Sequence, residues 1–122
     1  EWYSVPAETA RAINRTREDG GRVVSVGTTV VRALQSVTDR HGVVHAGSSW
    51  TDLVIEEADS LLSIDGLLTG WHEPRSTHLD LLAAVAGRGL LDEAYRSALD
   101  ERYLWHEFGD SLLILRSTHA AR

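Results

Sequence analysis

Residues 22–37, RVVSVGTTVVRALQSV, constrain the fold more than any other stretch of the chain. RVVSVG (22–27) is a short, nearly all-apolar, β-branched run, the pattern of a buried strand covered on both faces. After the glycine the spacing changes, and TTVVRALQSV (28–37) places Val31, Leu34 and Gln35 along one helical side. A buried strand that hands over to a helix belongs to a chain whose helices pack on a sheet.

The flanking segments extend that pattern. Ser4 can cap an opening helix with Pro6 in its first turn and Ala10, Ile13 and Arg17 along one side, ended by Gly20-Gly21. Asp39 to Gly42 read as a turn. VVHAGSSWTDLVI and SLLSIDGLLTGW predict two or three strands, with turns at Gly47-Ser48-Ser49 and at Glu56 to Ser60. Thr77 with Asp80 makes a capping box for a helix with Leu79, Leu82, Ala83 and Ala86 on its apolar side, closed by Gly87. LLDEAYRSALDERY (90–103) predicts a further helix with Leu91, Ala94, Tyr95, Ala98 and Leu99 on one face. SLLIL (111–115) reads as a last buried strand. The order α-β-α-β-β-(β)-α-α-β predicts an α/β class, α+β with a mixed, largely buried sheet. Residues 1–116 form one unit and 117–122 a disordered tail.

Composition narrows the function classes. The chain has 122 residues with no cysteine and no methionine, so disulfides and thiolate metal sites are excluded. No apolar run approaches the roughly 20 residues that span a bilayer, and no leader pattern opens the chain, so a cytoplasmic protein without membrane contact is expected. All twelve basic residues are arginine, and the net charge is −6. With no basic run to neutralise phosphate, this stretch taken alone is a poor grip for nucleic acid. The six histidines show no metal-binding spacing, and no metal is expected.

Three polar constellations carry candidate chemistry. Gly27, Thr28 and Thr29 stand where strand becomes helix, a geometry that aims N–H groups and hydroxyls above a sheet, and Arg32 follows one turn on. A tight turn with a cap is the plainer account. SSWTDL (48–53) combines a stacking aromatic, Trp50, with the Thr51 hydroxyl and the Asp52 carboxylate in an apparent hairpin; a rim tryptophan beside an Asp-containing turn explains it equally well. DGLLTGWHEPRST (65–77) sets Asp65 before a glycine, then His72 as a general acid or base and Arg75, Ser76 and Thr77 as anion contacts at a helix start. A capped junction with an incidental histidine is the alternative. EFGD (107–110) puts Asp110 at the mouth of the last strand.

Taken together and in order, these blocks resemble the C-terminal part of the S-adenosylmethionine:tRNA ribosyltransferase-isomerase (QueA) family of queuosine biosynthesis. EWYSVPAETARAIN, GGRVVSVGTTVVRALQS, SSWTDLVI, DGLLTGWHEPRSTHLDLLAAVAG, EAYRSALDERY and FGDSLLIL carry the resemblance over nearly the whole chain. It implies the C-terminal portion of a barrel-type α/β domain. It also implies an enzyme that transfers and isomerises the ribosyl group of S-adenosylmethionine onto a 7-deazaguanine in tRNA. The chain would then be a fragment, inactive alone, whose strand edges invite self-association. By the same resemblance His72, Asp65 and Asp52 are the candidate catalytic groups. Gly27, Thr28, Thr29, Arg32, Trp50, Thr51, Arg75, Ser76, Thr77 and Asp110 are the candidate substrate contacts.

The departures from the family pattern are specific. Val30 stands in place of serine, GWHEPRST in place of N-F-H-L-P-K-S-T, and the acidic VIEEADS in place of an aromatic P-G-Y segment, while His78 and Asp80 replace apolar residues. Acidic groups near an RNA-facing surface repel phosphate, which weighs against tRNA more than against an adenosyl ligand. Two other readings therefore stand beside the first: a divergent paralogue that binds S-adenosylmethionine or another nucleoside without tRNA, and a non-catalytic α/β interaction module. Clustering of His72, Asp65, Thr28 and Asp52 at one cleft favours an enzyme; separate local hydrogen bonds favour the module.

Overall fold

The computed structural model describes residues 1–72, 78–105 and 108–116. Nine elements follow in order: β1 (Trp2–Val5), α1 (Ala7–Glu18), β2 (Val24–Val26), α2 (Thr28–Ser36), β3 (Gly47–Trp50), β4 (Gly66–Gly70), α3 (His78–Ala86), α4 (Arg88–Asp100) and β5 (Ser111–Leu115). Among the described residues the strands make a three-stranded sheet, β2-β4-β5, and a separate two-stranded ribbon, β1-β3. β2 runs parallel to β4 (Val26 opposite Leu68), and β5 runs antiparallel to it (Leu68 opposite Leu113). The mixed α/β class read from the sequence is the one observed.

The strand-to-helix handover at 22–37 forms as expected. Gly27 adopts φ +89°, a conformation costly for a side-chain-bearing residue, and its N–H donates to the Leu68 carbonyl (2.8 Å). The chain therefore turns out of β2 while still tied to β4. Gly87 likewise takes φ +85° between α3 and α4, its N–H closing α3 on the Ala83 carbonyl. The helical stripes become the core: Val31 and Leu34 from α2, Leu82 and Ala83 from α3, Leu91, Tyr95 and Ala98 from α4. Leu99, expected on that face, is exposed.

Three expectations are corrected. Ser4 does not cap a helix; it lies in β1, and Pro6 occupies the cap position of α1. Gly47-Ser48-Ser49 is not a turn but the body of β3, paired to β1 with Val5 opposite Gly47 and Trp2 opposite Trp50. Trp50 is thus held by a distant strand and not by a local hairpin.

The sheet is also buried on one face only. Ser25, Leu67, Thr69 and Ile114 point under the helices, whereas Val24, Val26, Leu68, Leu113 and Leu115 alternate onto an exposed face. Apolar runs that suggest two-sided cover here have cover on one side.

Gly66 lies where β4 and β5 pinch together. A Cβ there would meet the Ile114 carbonyl oxygen at 2.8 Å. The disordered tail expected at 117–122 lies outside the described residues, but Arg116 just before it is anchored: its guanidinium donates to the carbonyls of Leu61, Ile64 and Ala84.

Candidate functional site

Because β2 and β4 are parallel and β5 returns antiparallel, three separated sequence blocks arrive at one edge of the sheet. β2 ends there in Gly27-Thr28-Thr29, β4 ends there in Gly70-Trp71-His72, and β5 starts there after Asp110. The joint is hydrogen-bonded, with the Trp71 N–H donating to the Asp110 carbonyl (3.0 Å). In open α/β sheets, ligands bind outside the carboxyl ends of parallel strands, where helix N-termini and loops converge. Thr28 is buried and Thr29 exposed at the start of α2.

His72 is half-buried at this edge. Its Nε2 shares a hydrogen bond with the Thr69 hydroxyl (3.2 Å), and its backbone carbonyl accepts from the Tyr95 hydroxyl of α4 (2.7 Å). Burial pushes the Tyr95 phenol up to about 12, so it stays a neutral donor. Behind His72, Trp71 is buried in edge-to-face contact with Tyr95, Tyr103 and Trp105, ring centroids 4.9 to 6.3 Å away. Trp105 is held with φ +71°, one of two such non-glycine residues among those described. The Asp110 carboxylate accepts from the Leu104 N–H (2.5 Å), so this acid closes the loop that carries Tyr103 and Trp105. The loop aromatics and Tyr95 were not singled out as site residues from the sequence. Tyr95 looked like ordinary core spacing, which it also satisfies.

Farther along α2, the helix and the ribbon border a shallow, open depression of about 260 Å³ lined by Glu1, Arg32, Thr51, Asp52 and Leu53. Arg32 lies one turn beyond Thr28, so the cavity borders the helix that starts at the strand edge. Thr51 is fixed by its hydroxyl, which contacts the Ser36 hydroxyl (3.0 Å) and accepts from the Leu53 N–H. Trp50, 74% exposed, stands edge-to-face against Trp2 (5.7 Å) just before it, leaving an indole face open. Two of the candidate substrate contacts, Arg32 and Thr51, thus come together around one space with Asp52, a candidate catalytic group.

Asp65 does not join them. It sits at the opposite end of β4, nearly fully buried. Its carboxylate accepts from the Val23 N–H (2.8 Å) and pairs with the Arg17 guanidinium of α1 (3.5 Å). Arg17 in turn donates to the carbonyls of Gly42 and Leu62, so this ion pair ties α1, β2 and the segment entering β4 together. Arg75, Ser76 and Thr77 lie outside the described residues. No described group of histidines and carboxylates is arranged to hold a metal ion.

The chain is similar to known proteins over most of its length. A family model described as a queuosine biosynthesis protein matches residues 1–114. The chain is 50% identical over 115 residues to the S-adenosylmethionine:tRNA ribosyltransferase-isomerase of Moorella thermoacetica, covering 94% of this chain and 34% of that protein. It is 42% identical to the one from Cupriavidus metallidurans, covering 99% and 34%. The crystal structure of a Thermotoga maritima S-adenosylmethionine tRNA ribosyltransferase superposes with a TM-score of 0.84 at 43% identity, over 93% of this chain and 40% of that one. The chain spans about a third of the length of the curated relatives it matches. With the family model matched over residues 1–114 and the fold shared at a TM-score of 0.84, this chain belongs to the queuosine biosynthesis family.

Proposed function

We propose that this chain supplies part of the donor site of an S-adenosylmethionine:tRNA ribosyltransferase-isomerase, in which the ribosyl group of S-adenosylmethionine passes to a 7-deazaguanine in tRNA. The observation that carries the reading is the convergence of the G-T-T, W-H and G-D blocks at the carboxyl edge of β2 and β4, with the Arg32–Thr51–Asp52 cavity alongside. Each group suits a part of that donor. The Arg32 guanidinium matches a carboxylate such as that of the methionyl end. Asp52 accepts hydrogen bonds from ribose hydroxyls or an amine, and the open face of Trp50 stacks on adenine.

His72 is the group best suited to act as base. A carbon beside a sulfonium is acidic because the positive sulfur stabilises the electron pair left behind. The imidazole takes that proton while Thr69 and Tyr95 hold the residue in place. Asp65, buried and paired at the far end of the strand, serves this reading as a brace for the sheet and not as the acid or base. The rim contains Glu1 and Asp52, and the loop that follows carries Glu56 and Glu57, so contacts to the RNA backbone fall to the two thirds of the relatives' length that this chain does not cover.

The test is calorimetric titration of S-adenosylmethionine into the whole protein and into its Asp52→Ala and Arg32→Ala variants. Tenfold or greater weakening in both variants, corresponding to about 1.4 kcal/mol or more, is the expected result. Folded whole protein that takes up no S-adenosylmethionine would remove the donor and with it this reading.

A further inference from the structure

His72 does not stand alone at the strand edge. The ring of His78, the first residue of α3, lies flat against it, with centroids 4.3 Å apart and planes 16° from parallel. Both residues are half-buried. At that separation the rings touch face to face, so the His72 imidazole cannot swing out of its plane without displacing the start of α3. Thr69 holds one nitrogen of the same ring and Tyr95 holds its backbone carbonyl, and the stack adds a constraint on the ring face.

We propose that His78 is a positioning residue for His72: its stacked ring fixes the plane of the His72 imidazole and limits the pair to a single positive charge. The proposal rests on the reading of His72 as the base and deepens it. Two imidazolium rings in contact repel, so a proton on one ring disfavours a proton on the other.

The other groups that bear on the pair are named by element. β4 contributes the Thr69 hydroxyl, and α4 contributes the Tyr95 phenol, neutral over this range. On α3 the exposed Asp80 faces Arg88 (3.6 Å), and before β5 the Asp110 carboxylate is turned to the Leu104 N–H. Glu73, Arg75, His106 and Glu107 lie outside the described residues. The informative quantity is therefore the difference between two proteins that share all of these groups and differ only at position 78.

The experiment is a pH titration by NMR of the whole protein with labelled histidine rings, His72 being assigned from His72→Gln. In the wild type the two rings are expected to titrate as a coupled pair, in steps separated by more than about tenfold in proton activity. His78→Phe keeps a flat ring without a titrating nitrogen. There His72 should give one simple step, at higher pH than the second step of the wild type. An unchanged His72 curve in His78→Phe would overturn the proposal. Should that variant fail to fold, two independent single-site curves in the wild type would overturn it as well. No ligand enters this measurement, so the two readings fail separately. A coupled pair in a protein that ignores S-adenosylmethionine sinks the donor site alone, and an uncoupled pair in a protein that binds it sinks only the role of His78.

Discussion

The two ends of β4 use the same kinds of side chain for opposite purposes. At its start, Asp65 is buried, hydrogen-bonded to Val23 and paired with Arg17, so its charge is spent on joining α1 to the sheet. At its other end, His72 is half-buried, with its ring held by Thr69 and stacked on His78. A polar residue next to a strand end is therefore not a site by virtue of its type. What separates the two ends is burial and charge pairing: Asp65 is nearly fully buried against Arg17, whereas His72 is half-buried at the strand edge.

The comparison is broken most directly by exchanging the charges for neutral groups. Asp65→Ala leaves the Arg17 guanidinium without its carboxylate in a largely buried place and is expected to cost about 3 kcal/mol of stability. His72→Gln should change stability by no more than about 0.5 kcal/mol, while turnover in the whole protein falls by roughly a hundredfold. Chemical denaturation and a ribosyl-transfer assay on both variants decide this; a stable Asp65→Ala with lost turnover would reverse the assignment of the two ends. A smaller effect sharpens the picture of the braced end. Gly66→Ala pushes a methyl group against the Ile114 carbonyl and Leu115, so a loss of about 1–3 kcal/mol is expected by the same denaturation measurement.

The smallest effect concerns a carboxylate that belongs to neither end. Asp39 is exposed, and its hydrogen bond to His45, helped by the Val43 and His41 N–H groups, lowers its pKa from 3.8 to about 2. A depressed pKa means that the folded state favours the ionised form. The resulting stability is present above about pH 4 and is lost as pH falls toward 2. Asp39→Asn should flatten the acid limb of a Tm-against-pH curve slightly, and an unchanged acid limb in the variant would show that Asp39 contributes nothing there.

Much of the fold was legible because it rests on local signals. The helices at Thr28–Ser36 and Arg88–Asp100 follow apolar spacing, and Gly27 and Gly87 mark turns that need positive φ. The ribbon was not legible. WYSV and GSSW are four-residue strands whose pairing joins distant segments, and their proline, glycine and serine neighbours mimic a cap and a turn. The exposure of Val26 and Leu113 was hidden for a different reason, since an apolar run records a tendency to be covered and not what covers it.

For the site, the candidate residues were legible through six ordered blocks, and their partition was not. The burial of Asp65 depends on Arg17 from another element, and the contact of His72 with His78 depends on how α3 is set against β4. Neither relation has a periodicity to betray it. Asn14 is a similar case: from within α1 its side-chain amide makes both hydrogen bonds to the backbone of Val44, as a neighbouring strand would.

The aromatic shell behind His72 has an optical consequence. Trp71 shares edge contacts with Tyr95, Tyr103 and Trp105, while Trp50 and Trp2 form a second pair next to the Arg32 cavity. All four tryptophans of the chain thus belong to one of two coupled groups of chromophores, one buried and one open to solvent. Near-ultraviolet circular dichroism and tryptophan emission therefore report on the two halves of the site separately without any added label: the solvent-facing pair responds to what occupies the cavity, and the buried group to the loop that Asp110 closes.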